Sequence, residues 1–289
     1  MNEDLHIENY CALFIDLLGQ QNALKGEGLL KDFNTEEEEK EFIHRVRNSV
    51  GAIDRLQKQA EAFRKPSKGT ASIRDSLSDE DKESYDLMGK ATAKQQRWSD
   101  GLVFYSSLKD KPLNCPMDPV YEIFSIAGAL CFQGLAGEQP IRGAIEVSWG
   151  VELHQNELYG AVVANSYNLE SNVAQYPRIV IGEKTINYLD SFISEEPNDT
   201  QKLEIYNRNL AVMCKSMIAI DHDGYHILDY LGPAFTKQVT QSVSKELYQE
   251  SYKYIQTQYE LHQKNQNTKL VMRYVMLRDY FNRYKNIHT

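Results

Sequence analysis

The stretch PMDPVYEIFSIAGALCFQGLAG, residues 116–137, is apolar on almost every side when wound as a helix, so other elements must cover most of its surface. The flanking sequence predicts what does so. Upstream, QQRWSDGLVFYSSL is two extended halves meeting at Ser99-Asp100-Gly101, and Asp-Gly between apolar, β-prone runs is the strongest short hairpin signal. Further upstream, YCALFIDLLG reads as a buried strand ending in a glycine turn. Downstream come a strand, IRGAIEVSWGVEL, and a helix, GAVVANSYNLESNVAQ, whose apolar face includes Val163 and Leu169. A strand, YPRIVIG, a helix, EKTINYLDSFI, and a closing hairpin, MIAIDHDGYHILDYL, follow.

Between the first strand and the hairpin, Phe42, Val46, Val50, Ile53, Leu56, Ala60 and Phe63 recur at steps of three and four, which predicts one amphipathic helix. Thr35 with Glu38 forms a capping box, and the acidic run 36–39 suits the positive end of the helix dipole. Residues 65–95 are polar and read as a mobile loop with one short helix. From about Pro233 the chain turns helical and rich in tyrosine, with Tyr248, Tyr252, Tyr254, Tyr259, Tyr274, Tyr280 and Tyr284. The order predicts an α+β architecture over residues 1–232, with helices packed on one face of a sheet. Residues 233–289 form a helical C-terminal extension that docks on the core or on a second subunit.

Composition excludes several function classes. A net charge of −9 argues against a general nucleic-acid binder, which needs a basic surface. No apolar run approaches the about 20 residues of a membrane span, and MNEDLHIENY lacks the basic and apolar regions of a signal peptide. These features place the chain in the cytoplasm, away from membranes. Cys11, Cys115, Cys131 and Cys214 lie far apart without a C-x-x-C pair, which suits buried fillers rather than a zinc or redox site.

Two aspartates carry the chemical signal. Asp16 interrupts an apolar strand, where a carboxylate is costly unless it forms a turn or faces a positive charge. Asp100 sits at a hairpin tip, where aspartate is also a common turn former. Together they could hold two divalent cations about 3.5–4 Å apart, an arrangement used for phosphoryl transfer. Gly19 after the first aspartate allows a turn whose N–H groups cradle phosphates.

These segments resemble the class III nucleotidyl cyclases. FIDLLG stands where that family has F-x-D-I-x-G, WSDGLVFY where it has G-D, IRGAIEVSWG where it has R-I-G-I-x-x-G, and GAVVANSYNLES where it has G-D-x-V-N-x-A-x-R-x-E-S. The resemblance covers about residues 10–182. It implies a ferredoxin-like cyclase sheet with metal-binding aspartates at Asp16 and Asp100 and a metal-binding carbonyl at Leu17. It places the phosphate-cradling turn at Leu18, Gly19 and Gln20, with two Mg²⁺ or Mn²⁺ ions per site. The implied reaction is attack of the ribose 3′-oxygen on the α-phosphate with loss of pyrophosphate, in a homodimer whose sites lie at the interface.

Departures from the pattern shape the substrate. The family's purine-reading Lys and Asp fall on Gln96 and Ala161, and its transition-state Asn and Arg fall on Ala164 and Asn168. In lacking the purine-reading pair the chain is similar to the pyrimidine cyclases of the Pycsar antiphage systems. These make cyclic UMP or cyclic CMP to switch on an effector, so the resemblance implies UTP, or CTP, as substrate. Arg97 is a candidate for base or phosphate contact, and Asn165 and Asn168 for ribose or triphosphate. The alternative is a catalytically silent cyclase-fold dimer that binds a nucleotide and regulates a partner. DHDG, residues 221–224, reads as a hairpin turn rather than a metal loop, and Arg178 as a surface arginine at a strand edge.

Overall fold

A computed structural model describes residues 6–18, 32–63, 74–79, 81–82, 85, 93–98, 101–108, 116–154, 156–194, 196–240 and 245–289. The apolar run near the N-terminus forms β1 (Ile7–Leu17), and alternation turns its side chains to opposite faces of the sheet. Cys11, Leu13, Ile15 and Leu17 face one core, while Tyr10, Ala12 and Phe14 face another. A strand apolar on both faces belongs in the middle of a sheet. Accordingly β1 pairs antiparallel with β3 (Gly101–Ser107) on one side and with β4 (Ile141–His154) on the other.

The hairpin read at Asp-Gly is present: β2 (Lys94–Trp98) pairs β3 with Trp98 opposite Gly101, while Ser99 and Asp100 lie outside the described residues. Strands β5 (Glu157–Tyr159), β6 (Ile179–Ile181), β7 (Ile218–Ile220) and β8 (His226–Leu228) complete the sheet. Its order is β2-β3-β1-β4-β6-β8-β7, with β5 added on β4. Among the described residues only the β4–β6 pair is parallel.

Helix α1 (Glu36–Phe63) starts at the acidic run, where the Glu38 N–H donates to Thr35 Oγ1 at 3.2 Å. The Glu38 carboxylate accepts from the Asn34 N–H at 3.0 Å, so the reciprocal half of the box falls one residue earlier than a standard box. Leu56 and Ala60 reach the core, but Val46 of the same predicted stripe is exposed. The side chains of Val50 and Ile53, and most of residues 65–95, lie outside the described residues.

The all-round apolar segment is α2 (Met117–Ala136), buried under α1, α5 and the C-terminal helices. At 20 residues it is long and apolar enough to cross a membrane, contrary to the sequence reading; 72% of its apolar window is buried inside the protein, as in a core helix. Helix α3 (Ala161–Asn172) packs on the other face of the sheet, against β1 and β4. There Val162 and Val163 meet Tyr10, Ala12, Phe14, Val103 and Tyr105. The expectation of helices on one face is therefore corrected: a central strand apolar on both sides needs cover on both.

Helix α4 (Glu183–Ser194) follows β6. Helix α5 (Lys202–Ser216) was not read from the sequence, because polar Asn207 and Arg208 interrupt its apolar spacing. Asn207 is buried for a reason: its Oδ1 accepts from the Met117 N–H at 3.2 Å, satisfying an open donor at the start of α2.

The tyrosine-rich extension forms α6 (Lys245–Lys264) and α7 (Thr268–Arg283), which pack on each other. Tyr248, Ile255, Leu277, Tyr280 and Phe281 enter the same core as α2. Tyrosine hydroxyls tie the extension down. Tyr248 donates to the Phe281 carbonyl at 2.7 Å, and Tyr280 donates to Asp229 at 2.9 Å while accepting the Leu231 N–H.

Candidate functional site

Antiparallel register puts directly paired residues on the same face, so Trp98, Gly101, Asp16 and Arg142 form one row across four strands. The row lies on the α3 face at the end of β1. Arg142 answers the question of what positive charge sits against Asp16. Its Nη2 lies 3.1 Å and its Nε 3.4 Å from Asp16 Oδ2, and its Nε lies 2.6 Å from Glu170 Oε1. The Glu170 side chain, on α3, is 2% exposed, whereas Asp16 and Arg142 keep 16% and 17% open to solvent. Among the described residues these two carboxylates share one guanidinium at a partly open edge.

Beside this ion cluster the row carries aromatic rings. Phe14 lies 5.8 Å from Trp98 and 5.3 Å from Tyr167, and Trp98 lies 6.1 Å from Tyr167, centroid to centroid. The Phe14 ring packs over Gly101, where a Cβ would meet it at 3.3 Å. Tyr167 and Glu170, three residues apart on α3, thus press on the aromatic and the charged ends of the row respectively. Trp98 and Tyr167 remain about half exposed.

The structure distributes the sequence-derived candidates unevenly. Asp16 is in the row, and Asp100 lies outside the described residues, as do Gly19 and Gln20. Gly101, bonded in the chain to Asp100, pairs directly with Asp16. Leu17 is buried toward α2, and the Leu18 N–H, one of the expected phosphate donors, is spent on the Pro140 carbonyl at 3.0 Å. Arg97 pairs with Leu102, so it sits on the opposite face of the sheet from Asp16. Gln96, on the Asp16 face, accepts the Leu158 N–H at 3.0 Å. Asn165 is half-buried on α3; Asn168 is on the exposed side of that helix, its Oδ1 accepting from Asn172 at 2.6 Å. Within one chain Asn168 is not brought to Asp16.

Sequence reasoning missed Arg142, Glu170, Trp98 and Tyr167. Arg142 had a legible signal, since it is the second residue of a strand whose start pairs with the end of β1. Among the described residues no group of three His, Cys, Asp or Glu could hold a metal ion. The expected ligand set draws on Asp100, outside those residues. Its chemistry, carboxylates and a backbone carbonyl, is that of hard oxygen donors suited to Mg²⁺ or Mn²⁺.

Two other buried polar clusters are structural. Arg178, expected at the surface, is buried: its Nη1 donates to Asp221 and, at 3.0 Å, to Asp223, and its Nη2 donates to the Val173 carbonyl at 2.7 Å. Burial alone would ease its proton off, but the hydrogen bonds to Asp223 and Asp221 outweigh it and hold the guanidinium charged. The DHDG segment is the turn the sequence predicted, with Gly224 at φ 84° and its N–H on the Asp221 carbonyl. Glu146, also buried, accepts the Val147 and Thr185 N–H groups at 3.0 and 3.2 Å, and burial raises its pKa against those bonds.

Fold and site define a mixed α/β protein built on one mixed sheet, with a charged and aromatic row at one end of its central strand. No protein-family model matches the sequence, and no curated protein matches it.

Proposed function

We propose that the chain is a pyrimidine nucleotide cyclase, converting UTP, or CTP, to cyclic UMP, or cyclic CMP, and pyrophosphate. The observation that carries this reading is the pairing of Asp16 with Gly101, the residue that follows Asp100 in the chain. The strand order β2-β3-β1-β4 with α1 and α2 as connections adds support, because that antiparallel βαββαβ order is the ferredoxin-like one the resemblance implies.

On this reading Asp16, the Leu17 carbonyl and Asp100 would hold two Mg²⁺ or Mn²⁺ ions. When bound, such ions acidify the ribose 3′-hydroxyl and polarise the α-phosphate. Arg142 orients the Asp16 carboxylate, and Glu170 holds Arg142 in turn. Gln96, engaged with the Leu158 backbone, is not a purine reader of the family kind, which favours a smaller base. Asn168, exposed on α3, is available to a second copy of the chain, in keeping with a homodimer whose product signals to an antiphage effector.

A second reading, a silent cyclase-fold dimer that binds a nucleotide and regulates a partner, draws on Arg142 already occupying Asp16. Incubation with each of the four ribonucleoside triphosphates and Mn²⁺ separates them. The cyclase reading expects cyclic product from UTP or CTP, abolished by Asp16→Asn and Asp100→Asn. No cyclic product from any nucleotide, with metal-dependent nucleotide binding unchanged in Asp16→Asn, would sink it. Binding without turnover would select the second reading.

A further inference from the structure

The helical extension builds a cavity that no residue of the Asp16 row lines. Helix α6 contributes Tyr248, Gln249, Tyr252 and Lys253, and a short helix α8 (Lys285–His288) contributes Lys285, with Thr289 after it. The cavity holds about 270 Å³, near the lower end of the range for small-molecule sites, and is open on one side. Tyr248 is buried and Tyr252 half-buried. Four residues apart on one helix face, their rings lie within 11° of parallel with centroids 6.3 Å apart. A flat group laid against one is therefore aligned with both.

The protein itself holds these walls in place. The Tyr248 hydroxyl is spent on the Phe281 carbonyl, and its ring lies 5.3 Å from the rings of both Phe281 and His288. His288 Nε2 lies 2.9 Å from the Leu231 carbonyl, which can only accept, so that nitrogen carries the proton. Tyr252 donates to Asn282 Oδ1 at 3.0 Å, and Lys245 Nζ donates to the Thr289 carbonyl at 2.8 Å. With both tyrosine hydroxyls occupied, the groups left for a ligand are the ring faces, the Gln249 amide and the ammonium groups of Lys253 and Lys285. Among the described residues neither ammonium has a hydrogen bond or ion pair. Lys40, Lys58, Lys82, Lys94 and Lys215, by contrast, each lie within 3.2 Å of a carboxylate. In a chain of net charge −9, two cations without a carboxylate on one aromatic cavity call for an anion from outside.

We propose that this cavity binds a mononucleotide, its base laid against Tyr252 and Tyr248 and its phosphate held by Lys253 and Lys285. Aromatic faces stack any flat heterocycle, and two ammonium groups match the several acceptor oxygens of a phosphate better than a lone carboxylate. Gln249 offers a donor and an acceptor to a base edge. The volume suits one phosphate rather than three. The site is independent of the cyclase reading, although the cyclic product of that reaction belongs to the same chemical class.

Calorimetric titration of the full chain with UMP, AMP and cyclic UMP in EDTA tests this, with uridine and inorganic phosphate as half-ligands. The parent is expected to bind at least one nucleotide about 10-fold or more tightly than either half-ligand. Lys253→Gln and Lys285→Gln should each weaken that binding about 5- to 10-fold, and, having no partner to lose, should melt as the parent does. Tyr252→Leu should weaken it about 10-fold, and Tyr252→Phe, which keeps the ring, should not. Lys269→Gln, on α7 and outside the cavity, should bind as the parent does. Binding should survive Asp16→Asn, which separates this cavity from the row on β1. Preference for cyclic UMP would mark the ligand as the proposed product and preference for UMP or AMP an ordinary mononucleotide; either upholds the site, even if the protein makes no cyclic product. No binding of any nucleotide by the parent, or binding unchanged when Lys253→Gln and Lys285→Gln are combined, overturns the proposal.

Discussion

Replacing Arg178 by Met tests whether the β6 strand is locked to the β7–β8 turn by charge. Met preserves much of the packing volume over the Tyr176 ring, which the guanidinium covers at 4.6 Å, but removes every donor. The Asp221 side chain is 2% exposed and would be left buried without its counter-charge, a change that costs about 3–5 kcal/mol. Two features push the expectation to the low end. Asp221 keeps the Tyr176 hydroxyl and the His222 N–H, and Asp223, 40% exposed, regains water when released. A loss of about 3 kcal/mol should lower the melting temperature by about 5 °C in a chain of this size.

Urea denaturation and calorimetry at neutral pH measure both quantities. The double variant Arg178→Met with Asp221→Asn removes the stranded charge and should recover more than half of the loss, giving a coupling energy well above that of distant sites. A single-variant loss under about 1 kcal/mol, or no recovery in the double variant, would refute the claim that a buried ion pair organises this end of the sheet.

Glu152 predicts an acid limb of stability. Burial works against its charge, but Lys94 at 2.6 and 2.8 Å, the Asn156 N–H and the Tyr105 hydroxyl prevail and hold its pKa below the usual carboxylate value. The folded pKa lies below the unfolded one, so this stabilisation is complete above about pH 5 and is lost as pH falls through the folded value. Urea midpoints measured across that range should fall less steeply for Glu152→Gln than for the parent. Gly128 lies against the Phe235 ring with no room for a Cβ, so Gly128→Val should cost about 1–3 kcal/mol or more by overpacking. Phe235→Leu in the same chain should return part of that loss in a thermal melt.

How far the fold was legible followed the range of the interaction that made it. The β2–β3 hairpin, the α1 cap at Thr35 and the apolar circumference of α2 are set by residues a few positions apart, and local sequence exposes them. The second helical layer was not, although its cause was present: residues 10–15 are buried on both faces, and the sequence shows an apolar run without saying what lies on each side. Helix α5 stayed hidden because Asn207 looks polar and out of place until the Met117 N–H it satisfies is known. Arg178 failed in the same way, since nothing near it in sequence shows that aspartates 43 and 45 positions on will meet it.

The site repeats this division on a smaller scale. A carboxylate in an apolar strand demands a counter-charge, and Asp16 supplied that demand by itself; register alone could show that Arg142, 126 positions away, is one partner. The pairing does not remove the case for a cation. Arg142 also serves Glu170, whose carboxylate is more deeply buried and has the stronger electrostatic need of it. Asp16 is the member of the trio that faces an open edge, and Gly101 beside it leads directly to a further aspartate. A cation drawn to Asp16 would leave Arg142 to Glu170, so that each of these two carboxylates faces its own positive group. On that argument Glu170→Gln should tighten the Arg142–Asp16 pair and weaken Mn²⁺ binding without touching any residue expected to ligate the ion.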